Sequence, residues 1–158
     1  MTENILVSWT ATDPELGDFT LIMTIRTGDS RWVNDIKGEV VFANEYQQGK
    51  QSYVVKVHVL LTNNGTPYGS AWLENTKTGK MPPWDYKQSA TQEKYQRVAA
   101  AEFWRMMVIH KDEVGPVFAI KMRNNVEETR KALAVMESNL AALGVVIEGE
   151  EDAISTTK

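Results

Sequence analysis

The residues best suited to chemistry in this chain are few and scattered. Two histidines occur, His58 and His110, and no cysteine. A metal site would need both imidazoles to converge with a carboxylate, and no helical or strand spacing brings them together. Adjacent acids occur at Asp112 and Glu113, at Glu127 and Glu128, and from Glu150 to Asp152. On a helix, neighbours point about 100° apart, which suits solvated faces or caps better than a coupled acid and base. Gly79 and Lys80 resemble the end of a phosphate loop, but Glu74 stands where the first glycine belongs and Met81 where a hydroxyl would hold magnesium. Ser70 is followed by Ala71 and Trp72, so no strained elbow presents a serine nucleophile. Asn64-Gly65-Thr66 matches a glycosylation acceptor; without a secretory leader it reads as a turn. These patterns predict a protein that is not an enzyme and holds no metal or cofactor.

One stretch carries a different chemistry. From Thr76 to Lys87 the chain interleaves cations and aromatics around two prolines: Lys77, Lys80, Trp84, Tyr86 and Lys87. Lys56 and His58 are expected on a nearby strand face, and Lys94 and Arg97 on the helix that follows. Exposed tryptophan, tyrosine, methionine and arginine are enriched at protein interfaces, so the nine residues form a candidate protein-binding surface centred on residues 77–87. The same set suits single-stranded nucleic acid, with lysines along the phosphates and aromatics stacked on bases. The alternative to both is that Trp84 and Tyr86 fold beneath the loop as an apolar plug while the lysines keep it soluble. A third function class is a small-ligand pocket under a curved sheet, lined by Trp9, Phe42, Trp72 and Trp104.

Charge ranks these readings. The net charge is −4 and the pI about 5.3, against the basic pI usual for a nucleic-acid-binding domain. Along the chain, residues 1–49 carry eight acids and three bases, residues 50–123 six acids and eleven bases, and residues 124–158 seven acids and three bases. The middle is basic between acidic ends, but the overall negative charge and the small number of lysines place a protein partner ahead of single-stranded nucleic acid. Size, lack of cysteine and absence of a catalytic motif fit a small binding, accessory or inhibitory protein of the viral type. The N-terminus lacks a basic region and a long apolar run, so the expected location is the cytoplasm, with no membrane association.

The elements that must position this surface are marked by hydrophobic period. Ile5, Val7 and Trp9 alternate with Leu6, Ser8 and Thr10, and after a turn at Asp13, Pro14 and Gly17, Phe19, Leu21, Met23 and Ile25 alternate with Thr20, Ile22, Thr24 and Arg26. Residues 32–43 form a third strand region in which Gly38 suggests a bulge. The clearest strand is 52–62, with Tyr53, Val55, Val57, Val59 and Leu61 on one face. Asn64-Gly65 predicts a type I′ hairpin into a strand over 67–74. Ser89 and Gln92 predict a capping box opening a helix whose buried stripe is Tyr95, Val98, Ala99, Phe103, Met106 and Met107, widened by Val108 and Ile109 and stopped by Gly115 and Pro116. A short strand is expected over 117–122. A second helix, capped by Asn124 or Asn125 and stopped by Gly144, should bury Val126, Leu133, Met136, Leu140 and Leu143. A final edge strand is expected over 145–147. The expected architecture is α+β: an antiparallel meander of about five strands with two amphipathic helices on one face, residues 1–148 forming one domain and 149–158 a flexible acidic tail.

Overall fold

A computed structural model of the protein describes residues 2–28 and 34–145. Six strands among these residues form an antiparallel sheet: β1 Thr2–Asp13, β2 Gly17–Thr27, β3 Asp35–Phe42, β4 Tyr46–Gln48, β5 Gln51–Leu61 and β6 Pro67–Asn75. They lie in the order β1-β2-β3-β5, with the short β4 continuing the β3 side of β5 and β6 on its far side. A 3-10 turn at Tyr86–Gln88 leads into α1, Ser89–Ile109, and α2 follows at Lys111–Ala142. The class is α+β, with helix packed on the antiparallel sheet. The chain divides into two compact units, residues 1–122 and 123–158.

Alternation decides which face of the sheet α1 covers. Phe19, Leu21, Met23, Ile25, Ile36, Val40, Phe42, Val55, Val57, Val59 and Leu73 are buried, and Tyr95, Ala99, Phe103, Met106 and Met107 from α1 meet them. Thr20, Ile22, Thr24, Lys37, Glu39, Lys56, His58, Trp72 and Glu74 alternate with that set and form the opposite, half-open face. Helix and sheet approach closely at Gly69, where an added Cβ would stand 2.7 Å from the Gln96 carbonyl oxygen. The start of α2 adds Val114 and Val117 to the core, and Lys121 reaches Asp35 at the start of β3 in a half-buried ion pair of 2.8 Å.

Several local expectations are corrected. Gly38 marks no bulge: it pairs regularly with Met23 and Val59, and its missing side chain leaves room for the Phe103 ring. The irregular step lies in β1, between Ile5 and Val7. The Asn64-Gly65 hairpin exists, but no non-glycine residue among those described has positive φ, so it is not type I′. Thr62 pairs with Thr66 around a three-residue loop closed by Gly65 N–H donating to the Thr62 carbonyl, with Gly65 at φ +79°. That is the type I turn followed by a left-handed residue. Ser89 is already helical and caps nothing; Asp85 caps the preceding 3-10 turn by accepting from Lys87 N–H, and Gln92 instead donates to the Ala71 carbonyl.

The largest departure is α2. The expected strand over 117–122 is helical, and Gly115 and Pro116 lie inside the helix rather than after its end. A proline in the second turn forfeits one backbone hydrogen bond, and burial of Val114 and Val117 on either side of it offsets the loss. α1 stops earlier, at Ile109, and leaves Val108 and Ile109 exposed. The stop at Gly144 is as expected: Gly144, at φ +68°, donates to the Ala141 carbonyl and Val145 to that of Leu140, which is a Schellman cap. The stripe expected to be buried is exposed at Val126, Leu133, Met136 and Leu143, and only half-buried at Leu140. Val145 is not in a strand. Residues 146–147 of the expected edge strand, Trp32 and the acidic tail lie outside the described residues.

Candidate functional site

The loop between β6 and α1 is held by its own backbone. Asn75 accepts from the N–H groups of both Lys77 and Thr78 through Oδ1 at 2.9 and 3.0 Å. Its main chain closes the turn, with Gly79 N–H donating to the Asn75 carbonyl and Asn75 N–H to that of Lys80. An asparagine side chain that mimics a backbone turn, followed by a glycine at φ +71°, fixes residues 75–80 without any help from a core.

The second half of the loop is anchored from below. Trp84 is half-buried, its ring centroid 4.9 Å from that of Tyr46 and 5.9 Å from that of Tyr95. Its indole N–H donates to the Ala71 carbonyl at 3.3 Å, an oxygen of edge strand β6 that Gln92 also caps. Gln48 clamps the loop from β4, donating to the Pro83 carbonyl at 3.3 Å and accepting from Asp85 N–H at 3.0 Å. Burial, and then the charge of Asp85, raises the pKa of the Tyr46 hydroxyl; burial, and then Tyr46, raises that of Tyr95.

What remains outside is Met81, Tyr86 and the lysines. Tyr86 is 81% exposed and Met81 66%. Lys77, Lys80 and Lys87 are exposed and form no ion pair among the described residues, Lys87 lying 5.9 Å from the centroid of the Tyr86 ring. Five of the nine sequence-derived residues therefore share the loop, with Trp84 serving as its anchor and not as an exposed ring.

The other four lie elsewhere. Lys56 and His58 project from the opposite face of the sheet. There Lys56 pairs with Glu74 at 2.8 Å, while His58 stands 3.9 Å from Glu39 and edge-on to Trp72 at 5.2 Å. Lys94 and Arg97 are on α1, on the covered side; Lys94 is paired with Glu15, and Arg97 is exposed beside Tyr68 and Glu93 at the β6 edge. Sequence reasoning left out Met81, which lies in the same loop, and Gln48, whose role follows only from the placement of β4.

The aromatic set expected to line a pocket does not converge. Phe42 is in the core, Trp72 on the open sheet face and Trp104 half-exposed on α1, while Trp9 donates to Glu102 at 3.2 Å. An apolar groove of about 210 Å³ runs between α1 and the start of α2, lined by Trp104, Met107, Val108, Val114 and Phe118. It is smaller than the usual 300–1,000 Å³ of a small-molecule site. Among the described residues no three His, Asp or Glu side chains cluster as metal ligands, and no helix is long and apolar enough to cross a membrane. Comparison with protein-family models, curated proteins and solved structures finds no match.

Proposed function

We propose that the protein is a non-catalytic binding protein, an accessory or inhibitory module that engages a protein partner through the Lys77–Lys87 loop. The observation that carries this reading is the loop's combination of fixed backbone and exposed side chains. A loop tied by Asn75, Gln48 and Trp84 loses little conformational freedom on docking, so contacts made by Met81 and Tyr86 are retained as affinity. Three lysines with no ion pair among the described residues favour an acidic patch on the protein they meet and would speed encounter more than they add affinity.

Single-stranded nucleic acid is the second reading, favoured by the same lysines around Tyr86. It is the weaker one. Trp84 is committed to packing, Lys56 and Lys94 are already neutralised by Glu74 and Glu15, and Lys56 and His58 face away from α1. The test is a titration of the parent and Tyr86→Ala with a fluorescent oligonucleotide at low and moderate salt, alongside affinity capture from the source cells. Protein capture lost in Tyr86→Ala, with no oligonucleotide binding, supports the proposal. Salt-sensitive oligonucleotide binding lost in Tyr86→Ala replaces it with the nucleic-acid reading.

A further inference from the structure

The second compact unit contains a helical stripe whose apolar side chains are largely exposed among the described residues. Val126, Thr129, Leu133, Met136, Leu140 and Leu143 recur at alternating steps of three and four, the spacing of the a and d positions of a heptad. Leu133, Met136 and Leu143 are more than half exposed, and Val126 nearly so. Thr129 turns its hydroxyl back to the Asn125 carbonyl at 2.7 Å, which satisfies its one strong donor within the helix and leaves its methyl group for the seam. The Schellman cap at Gly144 ends the helix just beyond Leu143, so the stripe is terminated by design of the chain.

From this geometry we propose that residues 126–143 pair with the same segment of a second copy of this chain, antiparallel, as a short two-stranded coiled coil. The charge pattern selects both the occupant and its direction. Arg130 and Glu137 occupy the two e positions of the stripe, and neither has an ion-pair partner among the described residues. Facing the helix with its own reversed copy sets Leu133 opposite Met136, Thr129 opposite Leu140 and Val126 opposite Leu143. In that register, and without adjustment, Arg130 of each copy falls beside Glu137 of the other, so one two-fold axis completes three apolar layers on each side and two ion pairs. A parallel pair instead sets Asn125 against Arg130 and Ala132 against Glu137, which leaves both charges unmatched. Lys131 and Glu128, already close to each other at 3.9 Å, lie off the seam. This pairing is independent of the binding loop.

The test is sedimentation equilibrium of the full chain, combined with spin-label distances from Glu127→Cys, which is the only cysteine in that variant. The expected result is a dimer with a Kd in the micromolar range. The two labels should be offset along the helix axis by about 22 Å, the rise of fifteen residues, whereas a parallel pair has no offset. Leu133→Glu should give a monomer of unchanged helical content, while Val135→Glu, equally exposed but off the seam, leaves the dimer intact. Arg130→Glu should weaken dimerisation about tenfold, and the exchange Arg130→Glu with Glu137→Arg should restore it. A chain monomeric at about 100 µM, a dimer indifferent to Leu133→Glu, a parallel pair or a higher oligomer each overturns the proposal.

Discussion

Replacing Trp84 by alanine separates an anchor from a stacking platform. The indole is half-buried, touches Tyr46 and Tyr95, and donates to the Ala71 carbonyl. Truncation of a fully buried tryptophan costs about 3–5 kcal/mol, and roughly half of that applies to a half-buried ring. Loss of the hydrogen bond adds about 1 kcal/mol. The expected cost is about 3 kcal/mol, a fall in Tm of roughly 6–12 °C for a chain of this size. Trp84→Phe keeps most of the ring and loses the bond, for about 1 kcal/mol. Tyr86→Ala, at a side chain mostly in solvent, should stay within about 0.5 kcal/mol. Urea unfolding followed by circular dichroism reads all three. If Trp84→Ala is as silent as Tyr86→Ala, or if the two costs are reversed, Trp84 does not hold the loop to the sheet.

Other consequences are as direct. Gly69→Ala should destabilise by about 2–3 kcal/mol, since the new methyl meets backbone atoms of Gln96 and α1 must move; a cost below about 0.5 kcal/mol in the same urea assay would contradict the close approach. Tyr95 has its pKa raised chiefly by burial, so the unfolded chain loses the phenolic proton first; stability should therefore fall as pH rises above 10 through the folded pKa, and Tyr95→Phe should flatten that fall in urea midpoints at pH 9 and 11. Gln48→Ala removes both bonds from β4 to the loop, so amide exchange at Asp85 should accelerate while global stability drops by only about 1 kcal/mol; unchanged exchange would show that the clamp is unnecessary.

The strands and α1 are legible in the sequence because burial imposes a period on each: two for Phe19 to Ile25 and Tyr53 to Val59, and three or four for Tyr95 to Met107. Ends and connections are less so, since they turn on competition between near-equal local choices. Ser89 had the chemistry of a cap, but Asp85 started a 3-10 turn ahead of it. Pro116 looks like a terminator, and the burial of Val114 and Val117 carries the helix through it. The stripe from Val126 to Leu143 has a helical period, and period says that a face needs covering without saying by what.

The candidate surface was half legible. Its loop is recognisable from cations, aromatics and prolines between two elements. Joining Lys56 and His58 to Lys94 and Arg97 overlooked a consequence of alternation: if Val55, Val57 and Val59 face α1, then Lys56 and His58 face away from it. Trp84 lost its exposure through the placement of β4, where Tyr46 meets its ring and Gln48 holds Pro83 and Asp85 on either side, and a three-residue strand leaves little trace in sequence.

The most direct test of the binding proposal is photocrosslinking from position 86 in the source cells, with the reactive residue replacing Tyr86 and, as a reference, replacing Thr20 on the open sheet face. The proposal predicts a discrete protein adduct from position 86 that Met81→Ala with Lys80→Glu abolishes, and none from position 20. Equal adducts from both positions, an adduct indifferent to those substitutions, or an adduct with nucleic acid would contradict it.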